Sequence, residues 1–257
     1  MTLSKGTDPL FVKEGADFMY QKGTSDPEDG YRTSVYRHRD SEMRIVMCRI
    51  PRPLCTLHIY VPTITDNNKG LPHTLEHLIF CGSKQYPHRG YLGAMAVCNF
   101  SEGINAWTSV DHTCYTLSAS SEQAVANMLP VYLDHVLNPL LRDHQFVTEV
   151  YHYDENGKEQ GVVFSEMSSR QNGEYKLARN ALNSLMYPAR NPYTFETGGL
   201  TTDIARLTNQ EIIDYHRKYY NANNITVVMT GSFSDDFEEA VLQKLPAEML
   251  KSSGSNS

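Results

Sequence analysis

Two histidines four positions apart, His73 and His77, flank Glu76 in the run GLPHTLEHLIFCGSKQYP, residues 70–87. On a helix, residues three and four apart share a face, so both imidazoles can grip one ion. Zinc suits imidazole donors in a tetrahedral site that keeps one position open. Glu76 lies one residue off the histidine pair, yet still on that side. There it can take a proton from a water that the metal has made acidic, without being a ligand itself. The plainer alternative is a helix with solvated histidines and a surface glutamate. Two imidazoles are too few for a durable zinc site, so a metal reading requires a third protein ligand from elsewhere.

Glu166, in KEQGVVFSEMSSR, is the candidate for that ligand, 89 positions after His77. Glu159 stands seven positions earlier, about two helical turns, and is expected on the same helix face. It would then orient one of the histidines from behind. Two glutamates at that spacing also fit a solvated helix stripe. The adjacent Val162, Val163 and Phe164 favour burial of at least one carboxylate, and a buried carboxylate needs a partner. A metal is one. Cys81, four residues after His77, fits a core thiol better than a further ligand.

These residues need elements to carry them. MRIVMCRI and LCTLHIYVP read as strands, with Pro51 and Pro53 between them. TDNNKG is a turn, and a helix is expected from Leu71 to about Cys81, with Pro72 in its first turn. EGINAWTSVDHTCYTLSA predicts two strands around a polar turn at Asp111–His112. SSEQAVANMLPVYLDHVLNPLL is a helix capped by Ser120 or Ser121 and disturbed by Pro130 and Pro139. Helices follow over EQGVVFSEMSSRQ and GEYKLARNALNSLMY, then an irregular loop, PARNPYTFETGG. Thr208 and Glu211 form a capping-box signature before another helix, NNITVVMTGSF is a strand, and DDFEEAVLQKL a last helix. The pattern predicts an α+β fold, with helices packed on a mostly antiparallel sheet. Residues 1–30 are expected outside the core as an N-terminal extension, 31–245 as the folded domain and 246–257 as a loose tail.

Composition narrows the function classes. The chain has 257 residues, 40% of them hydrophobic, ample for a core, and a formal net charge of -7. That charge gives no general field for nucleic acid or anionic lipid, and no dense Lys/Arg run supplies a local one. No apolar stretch nears the roughly 18 residues of a membrane span. The five cysteines contain no CxxC pair and read as free thiols in a reducing compartment. MTLSKGTDPLFVKEG has no apolar signal run and no arginine, so a cytoplasmic location is expected ahead of a mitochondrial one.

The residues 70–87 resemble the inverted zinc motif, HxxEH, and the following loop of the pitrilysin or insulinase family of metallopeptidases, the inverzincins. EGINAWTSVDHTCYTLSA resembles the strand pair beside that family's active site, with its NAxT-like segment, and GKEQGVVFSEM its distal-glutamate helix. YTFETGGLTTDIARLTNQEIIDYHRKYYNANNITVVMTGSF resembles the close of a first family domain. The four segments arrive in family order over residues 30–245, and they resemble the presequence-protease-like branch. The resemblance implies a single pitrilysin/insulinase-type domain that binds one Zn2+ through His73, His77 and Glu166. It implies Glu76 as general base and Glu159 as a supporting carboxylate. It also implies a peptide held extended along a strand edge at Asn105, Ala106 and Trp107. Asn105 would hold the peptide backbone or simply bond within its strand, and Trp107 would line a substrate wall or pack on the sheet.

Active members of the family pair two related halves, and this chain resembles the zinc half only. A complementary family domain, in cis or in trans, is therefore an expected partner besides the peptide. Two functions follow: a zinc metalloendopeptidase or its zinc-binding half, or a catalytically silent peptide-binding or assembly domain.

Overall fold

The computed structural model describes residues 17–26 and 28–246. Nine strands form β1 (Phe18–Asp26), β2 (Tyr31–His38), β3 (Arg44–Arg49), β4 (Cys55–Pro62), β5 (Ser101–Thr108), β6 (His112–Ala119), β7 (His152–Tyr153), β8 (Glu159–Gln160) and β9 (Thr226–Gly231) among these residues. The helices are α1 (Leu71–Ile79), α2 (Tyr91–Cys98), α3 (Glu122–Leu137), α4 (Asp143–Glu149), α5 (Val162–Arg170), α6 (Glu174–Met186), α7 (Thr201–Ile204), α8 (Asn209–Tyr219) and α9 (Phe237–Lys244). Seven strands make one sheet in the order β1-β2-β3-β9-β4-β6-β5, parallel only between β3 and β9. This is the α+β arrangement expected, a largely antiparallel sheet packed by helices.

Alternation in the strands decides which sheet face is covered. Leu57, Ile59 and Val61 of β4, Tyr115 and Leu117 of β6, and Val227 and Met229 of β9 are buried on one face. His58, Tyr60, Thr116 and Val228, at the intervening positions, are only half-buried on the other. The helices lie on the first face. α3 is the main one, capped where Ser121 Oγ accepts from the Ala124 amide at 3.2 Å. Pro130 sits inside α3 without ending it, and the helix stops at Leu137, before Pro139. Val125, Met128, Leu129, Tyr132 and Val136 bury its apolar stripe.

α1 lies against the β5 end of the sheet and is braced by α4 and α8. Its first residue follows Gly70, whose φ of 71° only glycine adopts without cost. Asn68 ties this turn to the chain returning before α7, because its carbonyl accepts from the Leu200 amide at 2.8 Å. α5 is fixed just as closely. Gly161, with φ 130° and ψ 142°, brings the helix start against the end of α4. A Cβ there would lie 2.2 Å from the Val150 carbonyl oxygen, so no other residue fits.

Two expectations change. Phe18–Asp26 is an edge strand antiparallel to β2, and Phe18 is buried, so the sheet reaches into the segment read as an extension. Residues 1–16 and the tail from 247 lie outside the described residues. Glu159 also leaves the helix expected over EQGVVFSEMSSRQ: it is in β8, paired with β7. The five cysteines are free. No helix among the described residues is long and apolar enough to cross a membrane.

Candidate metal centre

α1 is short and carries His73, Glu76 and His77 on adjoining faces. Leu75, Leu78 and Ile79 occupy the opposite side and are buried in the core. One side of the helix is thus packed and the other lines a cleft of about 600 Å³. The imidazole planes of His73 and His77 stand nearly perpendicular, 85°, with centroids 4.8 Å apart. α5 brings Glu166 to the same point. His73 Nε2 lies 3.7 Å from Glu166 Oε1, and His77 Nε2 lies 3.3 Å from Glu166 Oε2.

These three residues form the one His/Cys/Asp/Glu group among the described residues whose ligand atoms all lie within 4.8 Å of one another. Donors about 2.0–2.2 Å from a tetrahedral zinc are themselves spaced about 3.3–3.6 Å apart. The donor set therefore fits zinc in kind; its contacts of 3.3 and 3.7 Å lie near that spacing, and the full set of ligand atoms spans up to 4.8 Å.

The protonation preferences of His73 and Glu76 suit the same use. Burial, with help from His77, pushes His73 down to about 4, against the pull of Glu166. Its neutral ring offers a lone pair to a metal. Burial also lowers His77, but Glu149 outweighs it and the ring's pKa is raised. Burial raises Glu76 above the ordinary carboxylate range, opposed by a hydrogen bond from Thr108 and the nearby His77. A buried carboxylate with raised basicity is a good proton acceptor. Thr108 Oγ1, at the end of β5, donates to Glu76 Oε2.

The support behind the ligands differs from expectation. Glu159 is exposed and its Oε1 accepts from Tyr151 Oη at 2.8 Å, so it does not orient a histidine. The two-turn spacing to Glu166 has no structural meaning, because Gly161 starts the helix after Glu159. Glu149, at the end of α4, does the work instead. It is buried, and its Oε1 accepts from His77 Nδ1 at 3.2 Å. Arg89 Nη2 donates to the other oxygen at 2.5 Å. Burial alone would raise Glu149, but the His77 and Arg89 contacts together hold it below the usual range. With Nδ1 donating, His77 turns its Nε2 lone pair toward Glu166.

Glu149→Gln should weaken zinc binding about 10- to 100-fold while leaving the stoichiometry at saturation unchanged. Competition titration with a chelating dye measures this. An unchanged affinity would show that Glu149 does not orient His77.

β5 is the edge of the sheet and forms one wall of the cleft. Ile104, Ala106 and Thr108 alternate with Asn105 and Trp107, and Thr108 faces α1. Asn105 and Trp107 therefore direct their side chains to the sheet face away from the helices. Trp107 packs edge-on against His58 and Tyr60, at 6.1 and 6.3 Å, and its Nε1 donates to His112 Nε2 at 3.2 Å. The indole thus packs on the sheet and also borders the cleft. The Asn105 amide oxygen accepts from the Ala106 amide at 2.9 Å, a contact within its own strand. What residues 105–107 offer the cleft is a strand edge. Arg170, which sequence reasoning passed over, reaches the cleft too: its Nη1 lies 2.6 Å from Glu166 Oε1, one helical turn away. Cys81 is buried and its thiol donates to the His77 carbonyl at 3.8 Å, a packing role rather than a ligand's.

The model of the insulinase family, peptidase family M16, matches residues 55–185. An uncharacterized protein of Saccharomyces cerevisiae is 43% identical over 185 residues, covering 72% of this chain and 18% of the relative. Another from Caenorhabditis elegans is 36% identical over 208 residues, covering 80% and 21%. The chloroplastic/mitochondrial presequence protease 1 of Arabidopsis thaliana is 33% identical over 179 residues, covering 66% and 16%. This chain thus spans about a fifth of the length of these relatives. The crystal structure of pitrilysin superposes with a TM-score of 0.73 at 18% identity, covering 94% of this chain and 25% of that one. A protease from Helicobacter pylori gives 0.72 at 20% identity, covering 88% and 52%.

Proposed function

The chain belongs to the insulinase family, peptidase family M16, and from that premise we propose that it is a zinc metalloendopeptidase, or the zinc-binding half of one, of the presequence-protease-like branch. The observation that carries this reading is the convergence of His73, His77 and Glu166 beside a buried Glu76. His73 and His77 through Nε2, and Glu166 through its carboxylate, are the residues that would hold one zinc ion. Bound there, zinc supplies a Lewis acid that polarises a peptide carbonyl and makes a nearby water acidic.

The remaining work falls to side chains of this chain. Glu76 accepts the water's proton and later delivers it to the leaving amine. Its burial keeps it basic enough for the first task, and Thr108 fixes its rotamer for both. Glu149, held by Arg89, keeps His77 in the tautomer with a free Nε2. The edge of β5 offers main-chain groups to an extended peptide, and so aligns a scissile bond with Glu76. A peptide bound this way must be short or unfolded. The presequence protease of Arabidopsis thaliana, similar along two thirds of this chain, supports the branch. A complementary family domain, in cis or in trans, would enclose the open side of the cleft.

Cleavage of an unstructured, fluorescence-quenched peptide by the zinc-loaded chain tests the reading. Fragments cut at a defined bond are expected. A folded, zinc-saturated chain that leaves every such peptide intact, with a complementary family domain also present, would contradict it.

A further inference from the structure

Beyond Thr108 the cleft continues. A second cavity, of about 450 Å³, shares Thr108 with the first. Its walls are the β5–β6 turn at Ser109–Asp111, the helix α6 and the loop at Tyr193–Thr197.

α6 is amphipathic in an inverted sense. Leu182, Leu185 and Met186 are exposed, while Lys176, Arg179, Asn180 and Asn183 line the cavity. The spacing of these four, i, i+3, i+4 and i+7, puts them on one helical face. Three of them are taken up in holding the opposite wall. Lys176 Nζ lies 3.1 Å from Glu196 Oε1, Asn180 Nδ2 donates to Glu196 Oε2 at 3.3 Å, and Asn183 Nδ2 donates to the Tyr193 carbonyl at 3.0 Å. Glu196 is thereby neutralised. Asp111, across the cavity, is engaged by His112 Nδ1 at 2.8 Å. Arg179 is the remaining member of the stripe, and it has no ion-pair or hydrogen-bond partner among the described residues. Tyr193 and Phe195 give the wall beside it an apolar surface.

A peptide extended along the β5 edge past Glu76 would run beyond Thr108 into this cavity. We propose that the cavity is a subsite for an acidic side chain of the peptide, aspartate or glutamate, a few residues from the scissile bond, with Arg179 as the recognising cation. The guanidinium offers a planar pair of donors to a carboxylate, and Lys176 cannot compete because Glu196 holds it. This inference rests on the peptidase reading above.

The test uses the zinc-loaded chain with Glu76→Gln, which is meant to bind peptide without cutting it. Dissociation constants are measured for a peptide whose cleavage site has been mapped on the unaltered protein. Glu, Gln or Lys is placed in turn at each position flanking that site. On one side, at one position, Glu should bind about 2- to 5-fold more tightly than Gln, the range for an exposed ion pair. The preference should shrink in high salt. Arg179→Ala should abolish it and Arg179→Glu should invert it in favour of Lys, with the other positions unaffected. Peptide binding with no position that prefers Glu, or a preference that survives Arg179→Ala, overturns the subsite and leaves the peptidase reading intact. Failure of the unaltered protein both to bind and to cut peptide overturns that reading, and the subsite with it.

Discussion

Replacing Glu76 by Gln should lower kcat for peptide hydrolysis by about 10²- to 10⁴-fold, the usual contribution of a positioned general base. The change is nearly isosteric. A glutamine carbonyl still accepts from Thr108 Oγ1, so the rotamer and the local packing persist. What it removes is a group able to take and return a proton. Glu76 is not among the three residues that converge on one point, and so zinc content should stay at one ion per chain. The two readouts separate mechanism from structure. A variant that hydrolyses peptide as fast as the unaltered protein would remove Glu76 from the reaction. A variant that loses both zinc and activity would make Glu76 part of the metal's support instead.

Glu166→Ala should have the larger effect on the metal. It leaves two imidazoles, too few to retain zinc against mild chelation, and the expected loss of affinity exceeds the roughly 100-fold ceiling for an orienting residue. Glu166 is partly exposed and its partner on the same helix, Arg170, reaches solvent. Truncation should therefore leave thermal stability of the metal-free protein within about 1 kcal/mol of the original. Set beside Glu149→Gln, this gives an ordering: loss of the ligand must cost more than loss of the residue that orients one. Zinc titrations in which Glu149→Gln and Glu166→Ala bind equally well would overturn the assignment of Glu166.

The sequence made the centre of this site readable, because its signals are local. His73, Glu76 and His77 lie within about one turn, and a helix start with proline in its first turn fixes their common side. The α8 capping box was legible for the same reason: Thr208 and Glu211 satisfy each other's backbone and side chain within four residues. Alternation located β4 and β6. It could not say which face of β5 meets α1, and one residue of phase decides whether Trp107 or Thr108 faces that helix.

Non-local features stayed hidden. Glu149 meets a histidine 72 positions earlier in the chain, from a helix of seven residues, too short for a periodic signal. Glu159 had a persuasive spacing from Glu166, but one glycine between them, held at φ 130°, separates strand from helix. α2 is apolar around much of its surface and shows no periodic face to read, and β1 is an edge strand whose outward residues are mostly polar. In each case the deciding partner is supplied by the fold and not by the neighbours in sequence.

The most direct test of the metal centre is zinc K-edge absorption on the purified, zinc-loaded chain. The account predicts one site with two imidazole nitrogens and a carboxylate oxygen at about 2.0–2.2 Å, and no sulfur in the shell. A shell containing sulfur at about 2.3 Å, or one that is unchanged when Glu166, His73 and His77 are replaced together, would contradict it.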